Sequence, residues 1–95
     1  MIKGITEKEE IIIKNILKKY DFEFYCYGSR VKGNFTNASD LDMLVKSDTK
    51  IPSATIFALE EEFNRSMLPF IVNISDYNSI DKNFLELIKP DLVEI

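Results

Sequence analysis

The stretch that decides the fold runs from residue 27 to residue 45 and reads YGSRVKGNFTNASDLDMLV. Its second half alternates between polar and apolar residues, which is the period of a β-strand. The apolar face of this strand consists of Leu41, Met43 and Val45. The opposite face carries Asp40 and Asp42, whose Cα atoms are expected to lie roughly 7 Å apart. The pattern predicts two carboxylates side by side on the strand face that turns away from the core.

Two carboxylates that point the same way repel each other, and a cation between them relieves the repulsion. Asp40 and Asp42 are therefore candidate ligands for a hard divalent ion such as Mg²⁺ or Mn²⁺. The chain has no histidine, which excludes His-based triads, His general bases and His-ligated zinc. An isolated Asp-x-Asp is also typical of a solvated strand edge, and this alternative stays open here.

Gly28 and Ser29 follow an aromatic strand that the alternation predicts over residues 22–27. A glycine directly after a strand lets the backbone approach a phosphate closely, and the hydroxyl of Ser29 can donate to the same phosphate. A Gly-Ser pair alone indicates only a turn. Ten residues separate this pair from Asp40, and the combination favours a site that binds a phosphorylated ligand together with a metal ion.

Helices and strands alternate on both sides of this stretch. Apolar spacing and the capping-box pair Thr6 and Glu9 predict a first helix that ends near Tyr20. The other predicted elements are a short helical turn over 30–33, a strand over 40–46, a helix over 53–67, a strand over 70–75, a helix over 81–89 and a short edge strand over 92–95. The order predicts an α/β (α+β) fold, with a small mixed sheet of three to four strands and helices packed on one face.

The length of 95 residues leaves room for one domain, predicted to span 1–95, and is compatible with a homo- or hetero-oligomer. The 12 basic and 16 acidic side chains give a net charge of −4, which counts against a general nucleic-acid binder. Cys26 is the single cysteine, so an internal disulfide is excluded. No apolar stretch has the length of a signal core or a membrane span, and we expect a cytoplasmic protein.

The stretch 27–45 resembles the signature of the DNA polymerase β-like nucleotidyltransferase superfamily. More narrowly, it is similar to the minimal nucleotidyltransferases, which include antitoxins paired with HEPN-domain toxins. The segments LPFIVNISDYNSI and FLELIKPDLVEI resemble the C-terminal half of the same family. The resemblance implies transfer of a nucleoside monophosphate from a nucleoside triphosphate, with ATP expected, to a hydroxyl group with the help of two metal ions.

The resemblance also implies residue roles. Asp40 and Asp42 would hold both metal ions, and Gly28 and Ser29 would hold the β- and γ-phosphates. Arg30 is similar in position to a family arginine near the nucleotide. The residue pattern itself leaves Arg30 open, because it could neutralise charge on the leaving group or be a solvated helix charge.

Asn73 departs from the family pattern, which usually supplies a third carboxylate at this position on the next strand. The predicted core face of that strand consists of Phe70, Val72 and Ile74. Residue 73 therefore points toward the acidic pair, whereas Asp76 has the opposite parity. An amide offers an oxygen but no charge. With Asn73 in place of a carboxylate, we therefore expect the chain to bind a nucleotide still, but to turn it over slowly or not at all.

The sequence and the resemblance together are compatible with two functions. The first is an enzyme that adenylylates a tyrosine of a HEPN-type toxin. The second is a nucleotide-binding antitoxin that neutralises its toxin by direct contact, with its chemistry weakened at Asn73. A small-molecule nucleotidyltransferase is disfavoured, because 95 residues cannot hold the extra helical domain that binds such acceptors.

Overall fold

Helices and strands alternate along the chain in the computed structural model, which describes residues 2–95. The elements are α1 (Glu7–Leu17), β1 (Glu23–Tyr27), α2 (Ser29–Lys32), β2 (Leu41–Lys46), α3 (Ser53–Asn64), β3 (Val72–Asp76), α4 (Lys82–Ile88), a 3-10 turn (Lys89–Asp91) and β4 (Val93–Glu94). The predicted order of elements is confirmed. Within this part of the chain, no helix is long and apolar enough to cross a membrane.

The strands form one mixed sheet in the order β3-β2-β1-β4. β1 pairs antiparallel with β2 and with β4, and β2 pairs parallel with β3. Because β2 has a neighbour on each side, most of its side chains are fully buried: Leu41, Met43, Leu44 and Val45. The predicted mixed sheet of three to four strands is confirmed, including the short edge strand at the C-terminal end.

α1 and α3 cover one face of the sheet and enclose the main core. This core includes Ile13, Ile16 and Leu17 of α1, Leu59 and Phe63 of α3, and Phe24, Cys26, Met43 and Ile74 of the strands. The predicted capping box is present, because the Thr6 side chain accepts from the Glu9 N–H and the Glu9 carboxylate accepts from the Thr6 N–H. Burial raises the pKa of the Cys26 thiol to about 12, so the thiol stays protonated in the core.

α4 lies on the opposite face, which differs from the expectation that all helices pack on one side. Tyr27 and Leu44 of the sheet and Ile88 of α4 form a second buried cluster there. The physical reason is that β1 and β2 also carry apolar side chains on this face, and these need a cover. Phe84 of α4 is 40% exposed, and its ring packs edge-to-face with that of Tyr27 at a centroid distance of 5.9 Å.

Two element boundaries differ from the prediction. α3 ends at Asn64 instead of Met67, because the Ser66 hydroxyl donates to the Phe63 carbonyl at 2.6 Å and closes the last turn. Met67 is consequently 87% exposed. β3 begins at Val72, two residues later than expected, and includes Asp76.

Candidate active site

Gly28 occupies the turn between β1 and α2 with φ 86° and ψ −162°, a backbone conformation that is essentially restricted to glycine. A Cβ atom built at this position would overlap the Asp42 carboxylate. Glycine is therefore required twice here, once by the backbone angles and once by the close approach of Asp42. Ser29 begins α2 directly after this turn and is half-buried.

Asp42 lies in the middle of a row that crosses three strands. It is paired with Tyr27 on β1 and with Asn73 on β3. Directly paired residues present their side chains on the same face of a sheet, so the three side chains share one face. Asp40 precedes β2 by one residue and is exposed, whereas Asp42 is half-buried.

Asn73 joins the two carboxylates. Its Nδ2 amide group donates to Asp40 Oδ2 at 3.0 Å and to Asp42 Oδ1 at 3.4 Å. The amide nitrogen faces the acids because the amide oxygen would be repelled by both of them. The structure therefore brings Asp40, Asp42 and Asn73 together, as strand parity predicts.

The electrostatics of this cluster are unbalanced. Burial raises the pKa of Asp42, and the Asp40 charge raises it further, while the hydrogen bond from Asn73 lowers it. A single neutral amide thus offsets two neighbouring negative charges only in part. Because repulsion between the two carboxylates remains, a cation bound between them would interact favourably with both.

The donor chemistry of the cluster fits a divalent cation with a preference for oxygen. The Asp40 and Asp42 carboxylates are hard ligands of the kind that Mg²⁺ and Mn²⁺ take, and rotation of the Asn73 amide would add a neutral oxygen. Within residues 2–95, no group of three or more His, Cys, Asp or Glu side chains is placed to hold a metal ion. The site therefore has two acidic ligands in place of three.

Arg30 is buried against the backbone. It is 5% exposed, so it is not a solvated helix charge. Its Nη1 donates to the Gly4 carbonyl at 2.6 Å and its Nε donates to the Ser39 carbonyl at 2.9 Å. These bonds give Arg30 a structural role, and its expected place near the nucleotide stays a prediction.

Asp76 and Tyr27 have structural partners as well. The Asp76 carboxylate accepts from the Ile51 N–H at 2.9 Å and from the Ser79 hydroxyl at 3.0 Å, so it closes a turn on the face away from Asp42. Tyr27 is 8% exposed and packs against α4. The place of Tyr27 opposite Asp42 could have been read from strand parity, but the cover that α4 provides could not.

Comparisons with known proteins agree with this geometry. The model of the family described as "Polymerase beta, Nucleotidyltransferase" matches residues 11–91. The chain is 33% identical over 93 residues to the Haemophilus influenzae protein named "Probable protein adenylyltransferase MntA", covering 96% of this chain and 82% of that protein. The crystal structure of "a putative nucleotidyltransferase from Sulfolobus solfataricus" superposes with a TM-score of 0.53 at 20% identity, over 90% of this chain and 73% of the other. At that identity the structural match supports the fold alone.

Proposed function

The chain belongs to the polymerase beta nucleotidyltransferase family, and on this premise we propose that it transfers AMP from ATP to a hydroxyl group of a partner protein. The observation that carries the proposal is the contact between the Gly28 turn and Asp42. This contact brings the candidate phosphate-binding turn against the candidate metal ligands. A nucleoside triphosphate needs both features at once.

Each residue has a role that follows from its chemistry. Gly28 has no side chain, so phosphate oxygens can approach its backbone, and the Ser29 hydroxyl can donate to them. Asp40 and Asp42 supply the hard oxygen ligands of Mg²⁺. When bound, the cation supplies charge neutralisation at the transferring phosphoryl group.

The reaction balances without a further reactant. The acceptor oxygen forms a bond to the α-phosphorus of ATP, and the bond from that phosphorus to the bridging oxygen of the β-phosphate breaks. Pyrophosphate leaves with the electron pair, and the hydroxyl proton is released to solvent. Since such catalysis rests on positioning and electrostatics, the absence of histidine is no obstacle.

The proposed acceptor is a tyrosine of a HEPN-type toxin, which makes the chain the antitoxin of a two-component pair. Support for a protein acceptor comes from the relative in Haemophilus influenzae, whose name describes a protein adenylyltransferase and which this chain matches along 82% of its length.

Asn73 favours a second candidate function. Its amide donates to both acids instead of adding a third negative ligand. A site of this kind should hold a nucleotide through one cation but should activate the acceptor hydroxyl poorly. The alternative is therefore a nucleotide-binding antitoxin that acts by direct contact with its toxin.

Label transfer separates the two functions. The protein is incubated with α-³²P-labelled ATP, Mg²⁺ and an extract of its source organism, beside the Asp42→Asn variant. A labelled protein band that Asp42→Asn loses is expected for the enzyme. If no band forms, while the chain still binds ATP and protects cells from the toxin, the binding antitoxin is the correct function.

A further inference from the structure

Arg30 is a buried cation whose nearest partners are all neutral. Besides the bonds to Gly4 and Ser39, its Nη2 reaches the carbonyl oxygens of Thr36 and Asn37, each at 3.4 Å. The guanidinium carbon lies 4.1 Å from the centre of the Phe70 ring and 5.3 Å from that of the Phe35 ring. Four carbonyl dipoles and two aromatic faces together compensate the buried charge.

Three of the four carbonyl oxygens belong to the loop that leads into Asp40. This loop, residues 36–39, is also closed on itself. The Thr36 N–H donates to Ser39 Oγ at 2.9 Å, and the Ser39 N–H donates to the Thr36 carbonyl at 3.1 Å. Because the loop is closed by its own hydrogen bonds, the bonds from Arg30 fix the position of the whole 36–39 turn.

The bond from Arg30 to the Ser39 carbonyl acts directly on the backbone of Asp40. That carbonyl belongs to the planar peptide unit joining Ser39 to Asp40, so fixing the oxygen fixes the plane. The next peptide plane is fixed as well, because the Leu41 N–H donates to the Ile71 carbonyl at 2.9 Å. With both planes held, the two soft dihedral angles of Asp40 are set, and so is the direction of its Cα–Cβ bond.

We propose that Arg30 is a positioning residue for Asp40: through the 36–39 loop, it holds the exposed carboxylate beside Asp42 and Asn73, where a divalent cation would bind. This inference rests on the proposed function. It assigns Arg30 a role in metal affinity that works through geometry and not through its charge.

Two substitutions separate geometry from charge. Arg30→Lys keeps the charge but cannot reach four carbonyl groups with a fixed fork of donors. Lys32→Met removes a charge two residues further along α2, where the side chain is exposed and forms only an ion pair with Asp91 at 3.5 Å. If charge controlled metal affinity, Lys32→Met would strengthen cation binding, because it removes a positive charge, and Arg30→Lys would leave the affinity unchanged.

Two readouts are measured on the full chain at a temperature where every variant is folded by circular dichroism. The first is amide hydrogen exchange at Thr36 and Ser39. The second is the affinity for Mn²⁺ alone, from the electron paramagnetic resonance signal of the free ion. For Arg30→Lys we expect at least tenfold faster exchange at both amides and about tenfold weaker Mn²⁺ binding, the loss typical of residues that orient metal ligands. For Lys32→Met we expect changes below twofold in both readouts.

Ser39→Ala is the second test of the loop, because it removes the hydrogen bond from the Thr36 N–H to Ser39 Oγ and leaves Arg30 and the acids in place. It should also weaken Mn²⁺ binding, by less than Arg30→Lys. Unchanged exchange in Arg30→Lys, or faster exchange with parental Mn²⁺ affinity, would overturn the positioning role. A parent chain that binds no Mn²⁺ would instead overturn the proposed function, and with it the premise of this inference.

Discussion

Two polar clusters meet at the loop between α2 and β2, and they treat charge in opposite ways. The Arg30 cluster surrounds one buried positive charge with four carbonyl oxygens and two aromatic rings. The acidic cluster places Asp40 and Asp42 around one neutral amide, that of Asn73. The charge of the Arg30 cluster is compensated by its neighbours, and the charges of the acidic cluster are not. A compensated buried charge stabilises the fold, whereas uncompensated charges mark a place where a ligand of opposite charge would bind favourably.

The largest expected effect comes from a substitution that disrupts the Arg30 cluster. Arg30→Met should lower the free energy of unfolding by about 3 kcal/mol, because it leaves the buried Gly4 carbonyl and the part-buried Ser39 carbonyl without their donors. Urea denaturation monitored by circular dichroism measures this loss. Lys32→Met is the matched control on the same helix, and its loss should stay within about 0.5 kcal/mol. Equal losses in the two variants would mean that the Arg30 contacts contribute no more than a surface charge.

The next effect tests how tightly the acidic cluster is packed. Gly28→Ala should destabilise the fold by about 2 kcal/mol, because the alanine combines an unfavourable backbone conformation with a contact to the Asp42 carboxylate.

Gly33→Ala is the matched control for that substitution. Gly33 also has a positive φ, 96°, but a Cβ atom there meets only the flexible side chain of Lys3, at 3.2 Å. The expected loss is about 1 kcal/mol, from the backbone conformation alone. Thermal unfolding ranks the two variants. A larger loss for Gly33→Ala would contradict the close approach of Gly28 to Asp42.

The smallest expected effect comes from a substitution that removes the repulsion within the acidic cluster. Asp42→Asn should stabilise the metal-free fold by less than about 1 kcal/mol, because it removes the repulsion from Asp40. The size of this gain depends on pH. Since the pKa of Asp42 is raised above its ordinary value of 3.8, the folded chain binds this proton more tightly than the unfolded chain. The contribution of Asp42 to stability is therefore fully present below pH 3.8 and is lost as the pH rises through the folded pKa.

Urea denaturation of the parent and of Asp42→Asn between pH 3 and pH 7 checks this prediction. The stability advantage of the variant should grow with pH and then level off. An advantage that shrinks as the pH rises would show that the folded protein lowers the pKa of Asp42.

The sequence predicted the acidic cluster much better than the Arg30 cluster, and the reason is physical. Strand alternation has a period of two, so the shared face of Asp42 and Asn73 follows from parity once the strands are found. Arg30 is held by backbone carbonyl groups of an irregular loop, and such groups leave no trace in the pattern of side chains. From the sequence alone, a buried arginine in a short helix therefore cannot be distinguished from a solvent-exposed one.

The second cluster of apolar residues illustrates the same limit. Leu44 and Tyr27 lie on the face that the sequence assigned to solvent and polar groups, and α4 covers them. Periodicity shows which side of α4 is apolar, but it does not show which face of the sheet that side will meet. The boundary of α3 depends on one hydrogen bond of Ser66, which propensity does not register.

The central claim is that Asn73 leaves the site able to hold a nucleotide and poorly able to turn it over. The most direct measurement compares Asn73→Asp with the parent in Mg²⁺-dependent transfer from α-³²P-labelled ATP, together with the Kd of each for a non-hydrolysable ATP analogue. A third carboxylate should raise the transfer rate at least tenfold, while the Kd changes only a few-fold. A variant that transfers label no faster than the parent would contradict the claim.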